Sequence, residues 1–181
     1  MLSITIPATE QFDEIRGEFV NTKEHTLQLE HSLVSISKWE SKWHKSFINT
    51  KDKTNEETID YIKCMTLNKN IPDEVYTCLT QKNVDDINRY IEDPMTATTF
   101  SDDKNSPKSR EILTSELIYY YMIASGIPVD ECQKWHINRL LTLIRVCNIK
   151  SRPAKKMGKK ELMRRNAAIN EARKKQLNSK G

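Results

Sequence analysis

The 181-residue chain has room for one domain and an appendage, and with 37% hydrophobic and 30% charged residues it is polar yet still able to build a core. Its formal charge of +4 hides an asymmetry: residues 150–181 carry twelve Lys or Arg against Glu161 and Glu171, a net +10, which leaves −6 on the rest. The start, Met1 to Pro7, has neither a basic n-region nor a long apolar stretch, and nowhere do about 18 apolar residues run together, so the expectation is a soluble intracellular chain without a membrane span.

Residues 2–6 alternate as Leu-Ser-Ile-Thr-Ile before Pro7, the period-2 signature of a half-buried strand. A second strand is predicted from Phe12 to Val20 and a third over 25–31, where Leu27 and Leu29 point one way and Gln28 and Glu30 the other. Asn21, Thr22 and Lys23 would supply a turn, giving a small antiparallel sheet. From Ser32 the period changes to three and four. Leu33, Ile36, Trp39, Trp43 and Phe47 form one face of a helix over 33–47 that should cover the sheet, with Lys38, Glu40, Lys42 and Lys45 toward water.

Thr54-Asn55-Glu56-Glu57 fits a capping box opening a helix with Ile59, Ile62, Cys64 and Met65 on its apolar side and a stop near 66–68. Pro72 suits the first position of a short helix reaching Leu79, and Asn83 the cap of another reaching Ile91. Residues 93–107 are rich in turn formers and predict an exposed loop. A helix over 109–125 carries Ile112, Leu113, Leu117, Tyr120, Tyr121 and Ala124 and ends at Gly126. The longest helix is expected over 130–147 with Trp135, Ile137, Leu140, Leu141, Ile144 and Cys147 inward, packed antiparallel to the one before it. Residues 150–158 break the pattern with Pro153 and Gly158. The helix formers of 159–176 then carry only a thin stripe of Leu162, Ile169 and Ala172. The fold class is α+β: a globular domain over 1–149 and a basic, helical or disordered, flexible tail over 150–181.

Cys64, Cys78, Cys132 and Cys147 never fall in a C-x-x-C pair, which argues against a zinc ribbon or a dithiol motif and for reduced thiols acting as small hydrophobes. The glycines at 17, 126, 158 and 181 are too scattered for a phosphate-cradling loop. His25, His31, His44 and His136 lack metal-ligand spacing, and the acid pairs Glu56-Glu57 and Asp85-Asp86 sit at helix starts, where they favour the dipole. No nucleophile, base and orienting group are spaced as a catalytic set, so the expectation is a protein that binds rather than an enzyme, with no cofactor and no metal. Trp39 and Trp43, four residues apart, and Trp135 with His136 could anchor the core or a partner. In the tail, Lys155, Lys156, Lys159, Lys160, Arg164 and Arg165 could meet an acidic protein or nucleic acid. The absence of aromatics there and the acidity of the body favour protein.

Three segments together resemble the tail assembly chaperones of bacteriophages with long non-contractile tails: 29–43, from Leu29 through Trp39 to Trp43; 94–98, Pro-Met-Thr-Ala-Thr; and 135–148, from Trp135-His136 to Asn148, followed by Lys155-Lys156-Met157. The resemblance covers nearly the whole chain. It implies a non-enzymatic protein of the host cytoplasm that binds the tape measure protein, keeps it soluble and helps recruit tail tube subunits. A small nucleic-acid-binding phage accessory protein and a minor virion structural protein are the alternatives.

Overall fold

The computed structural model describes residues 1–13, 18–100, 111–151 and 158–177. The end of the loop expected over 93–107 and Lys155 and Lys156 lie outside these residues, whereas the helix expected from 109 begins only at Ser115, because residues 111–114 are not helical and Thr114 is the cap. The chain divides into two compact units, Met1–Asn148 and Ile149–Gly181.

The first unit begins with four strands rather than three: β1 (Leu2–Ile6), β2 (Thr9–Asp13), β3 (Glu18–Thr22) and β4 (His25–Leu29). β1 pairs antiparallel with β4 and β2 with β3, and the offset is the same in both ladders, so that Ile4 faces Leu27 and Thr9 faces Thr22. The two ladders are therefore halves of one long hairpin. Its interruption falls at Pro7, which has no N–H to give to the ladder. Alternation in the inner half buries Ile4, Ile6, Leu27 and Leu29 on one face. The outer edge of β4 is covered where α2 ends: Glu30 N–H donates to the Met65 carbonyl (3.0 Å), Leu67 N–H donates to that of Gln28 (2.8 Å), and Leu29 bridges Thr66.

Helix α1 (Leu33–Trp43) starts at a Ser32 cap and stops four residues earlier than its pattern suggests, because His44 takes a left-handed conformation (φ 52°). Phe47 still returns to the core through the turn that follows. Glu40, expected to face water, is buried instead, and its carboxylate accepts from Phe47 N–H (2.8 Å) and Ser115 N–H (2.7 Å).

The capping box at Thr54 forms as its spacing predicts. Thr54 Oγ1 accepts from Glu57 N–H (3.2 Å) and Glu57 Oε2 from Thr54 N–H (2.8 Å), opening α2 (Asn55–Met65). Replacing Thr54 with Ala is expected to cost about 1 kcal/mol of stability, read as a lower urea midpoint at unchanged slope.

Pro72 is the residue before α3 (Asp73–Thr77) rather than its first. α4 (Gln81–Glu92) starts at Thr80, and Asn83 is the third helical residue, whose side chain closes the capping box and also donates to the Thr5 carbonyl (3.2 Å). That contact seats α4 against β1. α5 (Ser115–Ala124) is capped by Thr114 and followed by Gly126 at φ 67°, the conformation that makes glycine the natural residue there.

The single helix expected over 130–147 is two: α6 (Val129–Cys132) and α7 (Ile137–Ser151). The break has a tertiary cause. His136 leaves the helical path to bridge Ser32, and Ile137 N–H donates to the His31 carbonyl (2.8 Å). α5 packs on α1 and α6 rather than pairing with α7. One core joins Ile4, Leu29, Ile36, Trp39, Met65, Val75, Ile118 and Leu140, with Cys78 and Cys132 buried among them as small apolar groups and none of the four cysteines in a disulfide. The second unit contains α8 (Lys159–Leu177).

Candidate functional site

The aromatic residues of α1 and the turn after it meet the N-terminal half of α2. Trp39 is fully buried, with its indole N–H on the Glu57 carbonyl (2.9 Å) and its ring edge-on to Phe47 (centroids 5.2 Å). Phe47 stacks on Tyr61 (3.8 Å), and the Tyr61 hydroxyl meets His31 Nδ1. His31 lies edge-on to His136 (5.0 Å), which in turn lies edge-on to Tyr90 (4.9 Å). His136 Nε2 is 2.9 Å from the Tyr90 carbonyl and its Nδ1 3.3 Å from the Asn138 N–H, so one neutral tautomer serves both contacts.

Of the residues proposed to meet a partner, Trp39 and His136 thus have no surface to offer and instead shape the ground beneath it. Trp43 and Trp135 are partly exposed. Trp43 donates from Nε1 to Asp60 (2.9 Å), and Trp135 carries the Arg139 guanidinium over its ring at 4.2 Å. Lys160, Arg164 and Arg165 lie exposed on α8, and Lys159 is its first residue.

Beside the histidine pair opens a cleft of about 520 Å³ whose lining includes His31, Lys51, Lys53, Asn88, Ile91 and Leu141. Lys53 Nζ donates to the Thr50 carbonyl (2.6 Å) and stands 4.2 Å from the Phe47 ring centre. Partial burial pushes its ammonium below the ordinary lysine range. Burial, and after it the neighbouring His136 and Lys53, hold His31 down at about 3. Sequence spacing gave no signal for this grouping, since residues 31, 53 and 61 belong to different elements.

A second surface is apolar. α5 is hydrophobic around most of its circumference. Ile118 and Met122 are buried, while Tyr120 (62% exposed) and Ile123 (69%) share the opposite side at i, i+3 spacing, and Ile112 (64%) precedes the helix. Glu116, one turn before Tyr120 on the same side of α5, and Glu111 are exposed, and Glu111 accepts from the Tyr121 hydroxyl (2.9 Å). Among the described residues no helix is long and apolar enough to cross a membrane, and no three His, Cys, Asp or Glu side chains gather as metal ligands. In comparisons with known proteins, no family model matches the chain and neither a curated protein nor a solved structure matches it.

Proposed function

We propose that the chain is a tail assembly chaperone of a tailed bacteriophage, which binds the tape measure protein in the host cytoplasm, keeps it soluble and aids recruitment of tail tube subunits without catalysis. Beside the resemblance, the observation that carries this reading is the uncovered side of α5, where Tyr120 and Ile123 stand more than three-fifths exposed on an otherwise well-filled domain. Such a strip suits the apolar face of a client helix laid along it, with the exposed Glu111 and Glu116 toward its N-terminal end. The basic second unit adds a handle of opposite charge, suited to a partner that must later be released.

Co-expression with a tape measure fragment is expected to yield a soluble complex, and Ile123→Glu to weaken it about tenfold or more by placing a charge in the apolar contact. Absence of a complex at micromolar concentration, or full binding by Ile123→Glu, counts against the reading. The exposed Lys160, Arg164 and Arg165 favour a second reading, a nucleic-acid-binding accessory protein. A salt titration of duplex DNA binding, with and without residues 150–181, separates the two: a steep slope that vanishes with the tail supports it.

A further inference from the structure

We infer that the cleft beside His31 and Lys53 is a binding site for an organic anion, a ligand with an apolar body and a carboxylate head, and that Lys53 is the residue that holds the head. Four observations converge on this reading. The cavity, about 520 Å³, is of the size that holds a small molecule. Lys53 is partly buried, and among the described residues its ammonium donates to the Thr50 carbonyl, faces the rings of Phe47 and Trp39, and forms no ion pair with a carboxylate. Glu57, whose charge is felt by Lys53, forms its ion pair with Lys45 instead, at 2.6 Å, and accepts from the Thr54 N–H at 2.8 Å. Finally, the walls beyond Lys53 are apolar, with Ile91 and Leu141 both partly exposed to the opening.

A desolvated ammonium without a counter-ion is costly in a fold, and a bound anion removes that cost. Burial is the first cause of the lowered proton affinity of both Lys53 and His31, while the Glu57 carboxylate acts to raise that of Lys53. Lys51, exposed at the mouth, adds a second positive charge, while Glu92, also exposed, is the one acid among the described lining residues. Asn88, exposed in the lining, can orient the head. The inference is independent of the chaperone reading, because it concerns a different face from α5.

The test uses the full chain and three probes: phenylacetate, its neutral counterpart phenylacetamide, and a short peptide ending in Phe with a free carboxylate. Binding is followed by tryptophan fluorescence, since Lys53 lies 5.9 Å from the Trp39 ring. Phenylacetate is expected to bind at about 1 mM or tighter, and phenylacetamide about tenfold more weakly. Lys53→Met should abolish that difference. Tighter binding of the peptide assigns the head to a protein terminus and tighter binding of phenylacetate to a free acid; either supports the shared chemistry. If Lys53→Met does not fold, Ile91→Trp, which fills the cleft, should block phenylacetate while leaving the thermal transition in place. No binding of any probe at about 10 mM, or equal binding of the acid and the amide by the native chain, overturns the inference.

Discussion

Glu40→Ala is expected to lower stability by about 2–4 kcal/mol, because it strips two buried backbone amides of their only acceptor. Phe47 and Ser115 are 8% and essentially 0% exposed, and their N–H groups reach Glu40 at 2.8 and 2.7 Å. One carboxylate thus joins the turn after α1 to the first residue of α5 across 75 positions of sequence. Glu40→Gln retains one acceptor oxygen and should lose roughly half as much, since one amide then faces an NH₂ group. Urea unfolding at neutral pH reads both losses as shifts in midpoint. A loss below about 1 kcal/mol for Glu40→Ala would show that water replaces the carboxylate and that the clamp is dispensable. Because α5 carries Tyr120 and Ile123, the same substitution should loosen any partner held there.

Stability should also drain away on mild acidification, and His31 is the reason. Its ring is buried, held down at about 3 by desolvation and by the neighbouring His136 and Lys53, while an unfolded chain protonates it near 6.5. Between those values the unfolded state binds a proton that the folded state refuses. The contribution is therefore whole above 6.5 and is lost as the pH falls toward 3, at up to about 1.4 kcal/mol per pH unit. His31→Asn, whose amide can still meet the Tyr61 hydroxyl but does not titrate, should flatten that limb of the stability profile. Glu57 adds a separate loss at lower pH. Its hydrogen bonds from Lys45 and from the Thr54 backbone hold its carboxyl below the usual range, so its stabilisation is present above that range and disappears as the pH drops through the folded value. Denaturant midpoints from pH 7 down to about 2 measure both slopes, and identical profiles for native chain and variant would assign the acid sensitivity elsewhere.

Local signals in the sequence were sound where local forces decide the structure. The alternation of 2–6 and 25–29, the Thr54 capping box and the glycine after α5 needed only neighbouring residues to read. Elements shaped from afar were not legible. Nothing between 130 and 147 announces a break, because its cause is Ser32, and nothing marks Glu40 as buried, because one of the amides it serves lies on α5. Three strands are expected where four form, since the pairing past Pro7 follows from the register of the first ladder rather than from any alternation of its own. Trp39 was weighed between core and partner and belongs to the core, whereas the cleft around Lys53 has no sequence spacing at all by which to find it.

The seam between Ser32 and His136 sets the order in which this molecule is born against the order in which it closes. A nascent chain makes Leu33 and Ile36 early, yet Ile137, Leu140 and Ile144, which complete the same core, are translated more than a hundred positions later. At about 5–20 residues per second, that leaves an unfinished interior open for roughly 5–20 seconds on every ribosome.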